Sequence, residues 1–393
     1  MPSFRPRPYT TAFVVLVSLF LYNRGGPLSR LYLNAPSRLE HVNNLNQPSV
    51  QFADTVRNCE DVILVPEESI VLLSCDPSRD TWNTVMGTFV DPASSPDTGI
   101  YMWNYKDSNA QPEKIQLLDF NLRINEFHPL GIEYHAPSNT LFVVNHAPSG
   151  SAIEFFKFLP SEAAATHITT LEEPKNLATP NSIAVLSETE FLVTNDHWFR
   201  RRFRPVLALL ETYMAFRGGS VTHVKFHSKL ADGFGETTVL TQIPFANGIT
   251  QLNDSVIAVA SSSMNTVYLY SMNRTDGSAP KLKQIRTISV PFHPDNLSVD
   301  GNGKLLIAGH PHAPTTEKVS KGNRFCQSND PAEREKCLSK GLSWVAEWSE
   351  AERLKTLYAG DEFGTSTTAV RDVKSGMGII TGLYAKGLYV WRD

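Results

Sequence analysis

The stretch NGITQLNDSVIAVASSSMNTVYLYSM, residues 247–272, decides the fold. It opens on the polar pair Asn247-Gly248, runs into a short strand-like segment, and turns at Asn253-Asp254. The chain then returns through Val256–Ser261, a near-continuous apolar run of the kind that suits a strand covered on both faces. A third segment, Val267–Met272, alternates, as a strand with one buried and one wetter face does.

Five further segments share this layout. Their first strands open at Glu60 (EDVILV), Leu130 (LGIEYH), Asn181 (NSIAVL), Asn296 (NLSVD) and Thr368 (TAVRDV). Tight turns follow at Glu67-Glu68, Ser138-Asn139, Glu188-Thr189, Gly301–Gly303 and Ser375-Gly376. Six such units, roughly 50 to 70 residues each, predict an all-β chain folded as a six-bladed β-propeller. The unequal spacing is absorbed by two insertions, a helical one at about 199–216 and a loop bracketed by Cys326 and Cys337. In a propeller the first strand of each blade lines the central channel, so the residues that open it converge on one ring.

A length of 393 residues accommodates such a repeat. Lys+Arg 36 against Asp+Glu 40 leaves a net charge of −4, with no basic excess to hold a nucleic acid. Hydrophobic content of 41% and charged content of 19% are globular values. Residues 10–22 (TTAFVVLVSLFLY) are almost wholly apolar and follow Arg5 and Arg7, the layout of a signal peptide or short signal-anchor over 1–25. The stretch Asn23-Arg24-Gly25-Gly26 offers no good small-x-small cleavage site. Residues 26–47 then read as a linker and 48–393 as the propeller, with 48–57 completing the last blade. The expected location is the secretory pathway, with the propeller secreted or anchored on the extracytoplasmic side.

Four cysteines agree with that compartment. Cys326 and Cys337 look like the base of a stapled loop, and Cys59 and Cys75 flank two strands joined by a turn. Sequons stand at Asn253, Asn273 and Asn296. The first two sit at turns and are expected to carry glycans; the third belongs to the channel.

The predicted ring comprises Glu60, Leu130, Asn181, Asn247, Asn296 and Thr368, with Asp61 and Asp295 adjacent. Hard oxygens carrying few charges suit Ca²⁺, whereas zinc or copper recruits His or Cys. A lone Asn at a strand start is ordinary turn chemistry. The same polar slot in four of six repeats points to a ligand set.

At these residues the sequence resembles the paraoxonase/arylesterase family, calcium-dependent propellers that hydrolyse lactones and aryl esters. The matching stretches are Phe245–Ile249 (FANGI), Thr194–Phe199 (TNDHWF), Asp295–Asp300 (DNLSVD), Val143–His146 (VVNH) and Gly309–His312 (GHPH). Gluconolactonase-like propellers share the architecture. The resemblance implies a catalytic calcium on Glu60, Asn181, Asn247, Asp295 and Asn296. It also implies a second, structural calcium on Asp61 and the carbonyl of Ile132. Three positions depart from the family: Ser182 replaces an Asp ligand, Leu130 a channel histidine, and Val390 a cysteine that ties the chain ends. Candidates for the base are His128, His146, His197, His310 and His312, with His146 and His310 foremost; Asp295 is a further catalytic candidate. The basic, aromatic stretch 198–216 is expected to cover the site and, with 10–22, to touch a membrane surface. Two readings follow: a calcium-dependent hydrolase of small esters or lactones, or, because Leu130 cannot move protons, a calcium-stabilised scaffold.

Overall fold

The computed structural model describes residues 8–121, 123–274, 278–338 and 340–392. Six antiparallel sheets form the six expected blades. Their innermost strands are Cys59–Val65, Pro129–His135, Pro180–Ser187, Ala246–Asn253, His293–Val299 and Ser366–Asp372, which gives blades 1 to 6. Blades 3 and 4 show the plain four-stranded form. Blade 2 gains a parallel outer strand, Gln116–Leu118, and blade 5 gains Val42–Asn43 at its rim.

Six hydrophobic clusters each join one pair of neighbouring blades. Between blades 2 and 3, Phe155 meets Phe142, Phe191 and Phe226 edge-on, with ring centroids 5.2–5.7 Å apart. Fully burying one such side chain contributes about 1.5–3 kcal/mol. A blade cannot cover its own faces, so the ring must close. It closes by strand pairing: Ser49–Gln51 runs antiparallel to Leu388–Val390, with Ser49 opposite Val390. No bridge joins the chain ends. Cys59 pairs instead with Cys75 inside blade 1, and Cys326 with Cys337 in the blade 5 insertion. In the loop-entropy account, closing a loop of 16 residues stabilises by about 3 kcal/mol.

Three helices lie at one end of the channel: α1 (Pro8–Leu33), α2 (Pro205–Met214) and α3 (Ala313–Gly322). Helix α1 bends by 58° between 11–22 and 24–33. Pro27 causes the bend, because its ring removes the hydrogen bond to the carbonyl four residues back, at Asn23. No single helix among the described residues is long and apolar enough to cross a membrane; the two halves of α1 pass that test only together. Residues 26–47 are more than a linker. Helix α1 extends to Leu33, Asn34 donates to the carbonyls of Pro291 (2.6 Å) and Pro311 (3.1 Å), and Val42–Asn43 joins blade 5. The paired backbone beyond Leu33 fixes that segment on the propeller.

Candidate functional site

Every inner strand breaks its register at the residues that open it. The shifts fall at Cys59/Asp61, Pro129/Ile132, Pro180/Ile183, Ala246/Ile249, Pro294/Leu297 and Ser366/Ala369. A bulge bends its strand and re-aims the extra side chain. Six bulges at one level therefore present Glu60, Leu130, Asn181, Asn247, Asp295-Asn296 and Thr368 to the channel. Gly248 permits the crowding this demands: a Cβ there would lie 2.5 Å from the Cα of Asn296.

At this level the amide nitrogens of Asn247 and Asn296 are engaged and their oxygens are not. Asn296 Nδ2 donates to Glu60 Oε1 (2.9 Å) and Thr368 Oγ1 (3.0 Å), and Asn247 Nδ2 donates to Ser262 Oγ (3.0 Å). Glu60 Oε2, Asn181 Oδ1, Asn247 Oδ1 and Asn296 Oδ1 are buried with no hydrogen-bond partner. Burial first, then the Asp61 and Asp295 carboxylates, push Glu60 well above the ordinary carboxylate range. Orphaned buried acceptors are rare and costly, and four converging on one level call for a cation. Among the described residues no group of three His, Cys, Asp or Glu side chains forms a metal cluster. The set rests on asparagine amides, which suits a hard oxygen-seeking ion such as Ca²⁺ and not zinc.

The next level along the channel differs. Asp61 Oδ1 accepts from the amide of Val62 (2.9 Å) and from Thr368 Oγ1 (2.9 Å), and Asp61 Oδ2 accepts from the amide of Ile132 (3.0 Å). Burial lifts Asp61 to about 6 despite these bonds. Ser182 accepts weakly from the amide of Ile249 (3.4 Å). Asp61 and Ile132 are thus brought together, bound to one another, and no side-chain oxygen of Asp61 is left over.

The histidines separate sharply. His146 is not at the cleft; its Nε2 faces the carbonyl of Pro180 (2.6 Å) and its Nδ1 the hydroxyl of Thr84 (2.5 Å), so both nitrogens are engaged. His128 is tied to Asp76 and the carbonyl of Pro92, and His197 to Asp196 and Thr212. His312 lies next to α3, its Nδ1 bonded to Thr315. His310 holds Asp295 Oδ2 through Nε2 (3.0 Å) and keeps Nδ1 buried without a partner. Directly opposite it in register stands His293, which no repeat position flags. Its Nδ1 donates to the carbonyl of Ser262 (2.9 Å), its Nε2 is unpartnered, and burial lowers it to about 4. Only the cross-strand pairing with His310 identifies it.

Glu60, Asn181, Asn247, Asp295, His293 and His310 line one cleft, whose empty space of about 1090 Å³ includes its open mouth. Its walls are mostly apolar. Helix α1 supplies Phe20, Pro27, Leu28 and Leu31, and α2 supplies Tyr213 and Met214. The helical insertion is anchored at its base by Glu211, whose carboxylate accepts from the amides of Trp198 (2.8 Å) and Phe199 (2.9 Å). Leu130 lies in the wall, buried and packed with Phe142 and Val144. Asn253 and Asn273 close their strands on the outside, both exposed.

A serum paraoxonase/lactonase 3 of Oryctolagus cuniculus is 27% identical over 302 residues, covering 74% of this chain and 75% of its own. The human serum paraoxonase/lactonase 3 is 29% identical over 294 residues, covering 72% and 74%. A gluconolactonase of Xanthomonas campestris superposes with a TM-score of 0.50 at 14% identity, over 90% of this chain and 93% of its own. A luciferin-regenerating enzyme does so with a TM-score of 0.51 at 10% identity, over 90% and 96%. Those two show the shared fold alone. The arylesterase family model matches residues 89–390, from the two outer strands of blade 1 into the last strand of blade 6, and the chain belongs to the paraoxonase/arylesterase family.

Proposed function

We propose that the chain is a calcium-dependent hydrolase of carboxylic esters, aryl esters or lactones. The observation that carries this reading is the set of four buried, unpartnered oxygens, three of them on residues that line an apolar cleft. Glu60, Asn181, Asn247, Asp295 and Asn296 would hold the ion. Bound there, calcium supplies Lewis-acid polarisation of the scissile carbonyl and positive charge for the developing oxyanion.

The chain's own residues do the rest. His310 keeps a proton on Nε2 toward Asp295, which fixes the tautomer and leaves the Nδ1 lone pair to accept the proton of an attacking water. Asp295 orients that imidazole. Phe20, Leu28, Met214 and Leu130 exclude bulk water and seat an apolar acyl or alcohol group. His146 is a positioning residue here, since both its nitrogens are engaged.

The exposed apolar residues of α1 and its neighbour α2, among them Phe13, Leu21, Val206 and Leu210, support a cleft mouth that rests on a lipid surface. The secretory pathway, and glycans on exposed Asn253 and Asn273, fit that placement. The test is turnover of phenyl acetate and a δ-lactone before and after chelation. Loss with chelator and recovery with added Ca²⁺ is expected. The buried leucine at the Leu130 slot favours the rival scaffold reading, whose signature is chelator-induced unfolding with no turnover at any calcium level.

A further inference from the structure

Arg24 is 6% exposed and stands in the wall of the cleft, at the start of the second half of α1. Its Nη1 donates to the carbonyl of Ser263 (2.7 Å) and reaches Met264 Sδ (3.5 Å). Its Nε is buried with no partner, and among the described residues no carboxylate pairs with it. A guanidinium keeps its charge in any protein environment, so a buried one without a counter-ion is an incomplete arrangement.

The other charges of the cleft are accounted for. Arg201 faces Glu317 at 3.9 Å and donates to the carbonyl of Met86 (3.2 Å). Glu60 and Asp295 belong to the proposed metal site, where a divalent ion would balance both. One positive charge is left over, and it is Arg24. Its place is close to the reacting groups: Ser263, which it holds, follows Ser262, and Ser262 binds both Asn247 Nδ2 (3.0 Å) and His293 Nδ1 (2.9 Å). The same cleft also presents apolar side chains, among them Phe20, Pro27, Met214 and Phe245.

We propose that Arg24 is a carboxylate-binding subsite, so that the preferred substrates are esters or lactones with an apolar body that also carry a free carboxylate. This rests on the hydrolase reading for its reaction and on the cleft alone for its binding. A planar guanidinium meets a carboxylate through parallel hydrogen bonds, which makes the contact selective for that group over a neutral ester of the same shape.

The experiment compares 4-nitrophenyl hydrogen glutarate with its neutral methyl ester, on the full chain in calcium. The acid is expected to show kcat/KM at least about tenfold higher, carried mostly by KM, as one charge-assisted contact implies. Arg24→Met should bring the two substrates to parity while leaving turnover of the methyl ester close to the unsubstituted rate, and Arg24→Lys should keep part of the preference. Equal rates in the unsubstituted chain, or a preference that survives Arg24→Met, would overturn the subsite. If neither ester turns over, the hydrolase reading fails, and calorimetry with glutarate still decides: binding lost in Arg24→Met supports the subsite, and no binding in the unsubstituted chain overturns it.

Discussion

The cleft level of the channel leaves four side-chain oxygens without partners, and the level beside it leaves none on Asp61. The same strands and the same bulges build both. The difference lies in which atoms the neighbouring strand supplies. At the cleft level the Asn247 and Asn296 amides spend their nitrogens on neighbouring side chains and leave their oxygens unpartnered. One residue further, backbone amides and the Thr368 hydroxyl reach Asp61 directly. One level leaves acceptors open to an ion from outside; at the other both Asp61 oxygens are already engaged. A polar ring at a propeller axis is therefore not by itself a metal site. What matters is whether its acceptors have been left open.

The largest effect expected from breaking this contrast is at the open level. Asn247→Ala or Glu60→Gln should each lower ester and lactone turnover by about 10²–10³-fold, the usual loss when an electrostatic stabiliser is removed. Each should also abolish the rise in melting temperature that calcium gives by binding only the folded state. Calcium affinity unchanged in both variants, measured by calorimetry, would dissolve the distinction between the two levels.

The closed level offers the converse test. Ser182→Asp adds a carboxylate beside the channel at a position 6% exposed. In calcium-free buffer the unpaired buried charge should destabilise the fold by about 1–3 kcal/mol. With calcium the variant should bind two ions per chain where the unsubstituted chain binds one, and regain its melting temperature. A stoichiometry that stays at one by calorimetry would show that Asp61 does not open even when offered a partner ligand.

The fold was legible because its signal is local and repeated. Each inner strand opens within three residues of the polar slot, since slot, turn and apolar return all lie inside one blade. The ring at the cleft level was legible for the same reason. What stayed hidden depends on contacts between distant segments. Arg24 meets a carbonyl 239 residues away, and nothing near residues 10–22 announces that α1 continues into the cleft wall. His293 matters through its register with His310, and His146 loses its place at the cleft through Thr84 and Pro180. A histidine's type was readable from the sequence; the state of its two nitrogens was not.

That last contrast, between His146 and His310, gives the smallest effect and a clear sign. Glutamine can mimic the engaged ring of His146, with its amide nitrogen donating to Pro180 and its oxygen accepting from Thr84. Turnover should therefore stay within about twofold in His146→Gln, whereas His310→Gln should lose about 10²-fold if Nδ1 receives the proton of water. Stability separates the pair again. Burial holds His146 below the ordinary imidazole value of 6.5. Between the two values the unfolded chain binds the extra proton, so the contribution of a neutral His146 is complete above pH 6.5 and is lost as pH falls. The slope from this one group cannot exceed about 1.4 kcal/mol per pH unit. Melting temperatures from pH 7 to pH 5 should fall less steeply in His146→Gln than in the unsubstituted chain. Identical slopes with a large loss of turnover would reverse the assignment and return the proton-accepting role to His146.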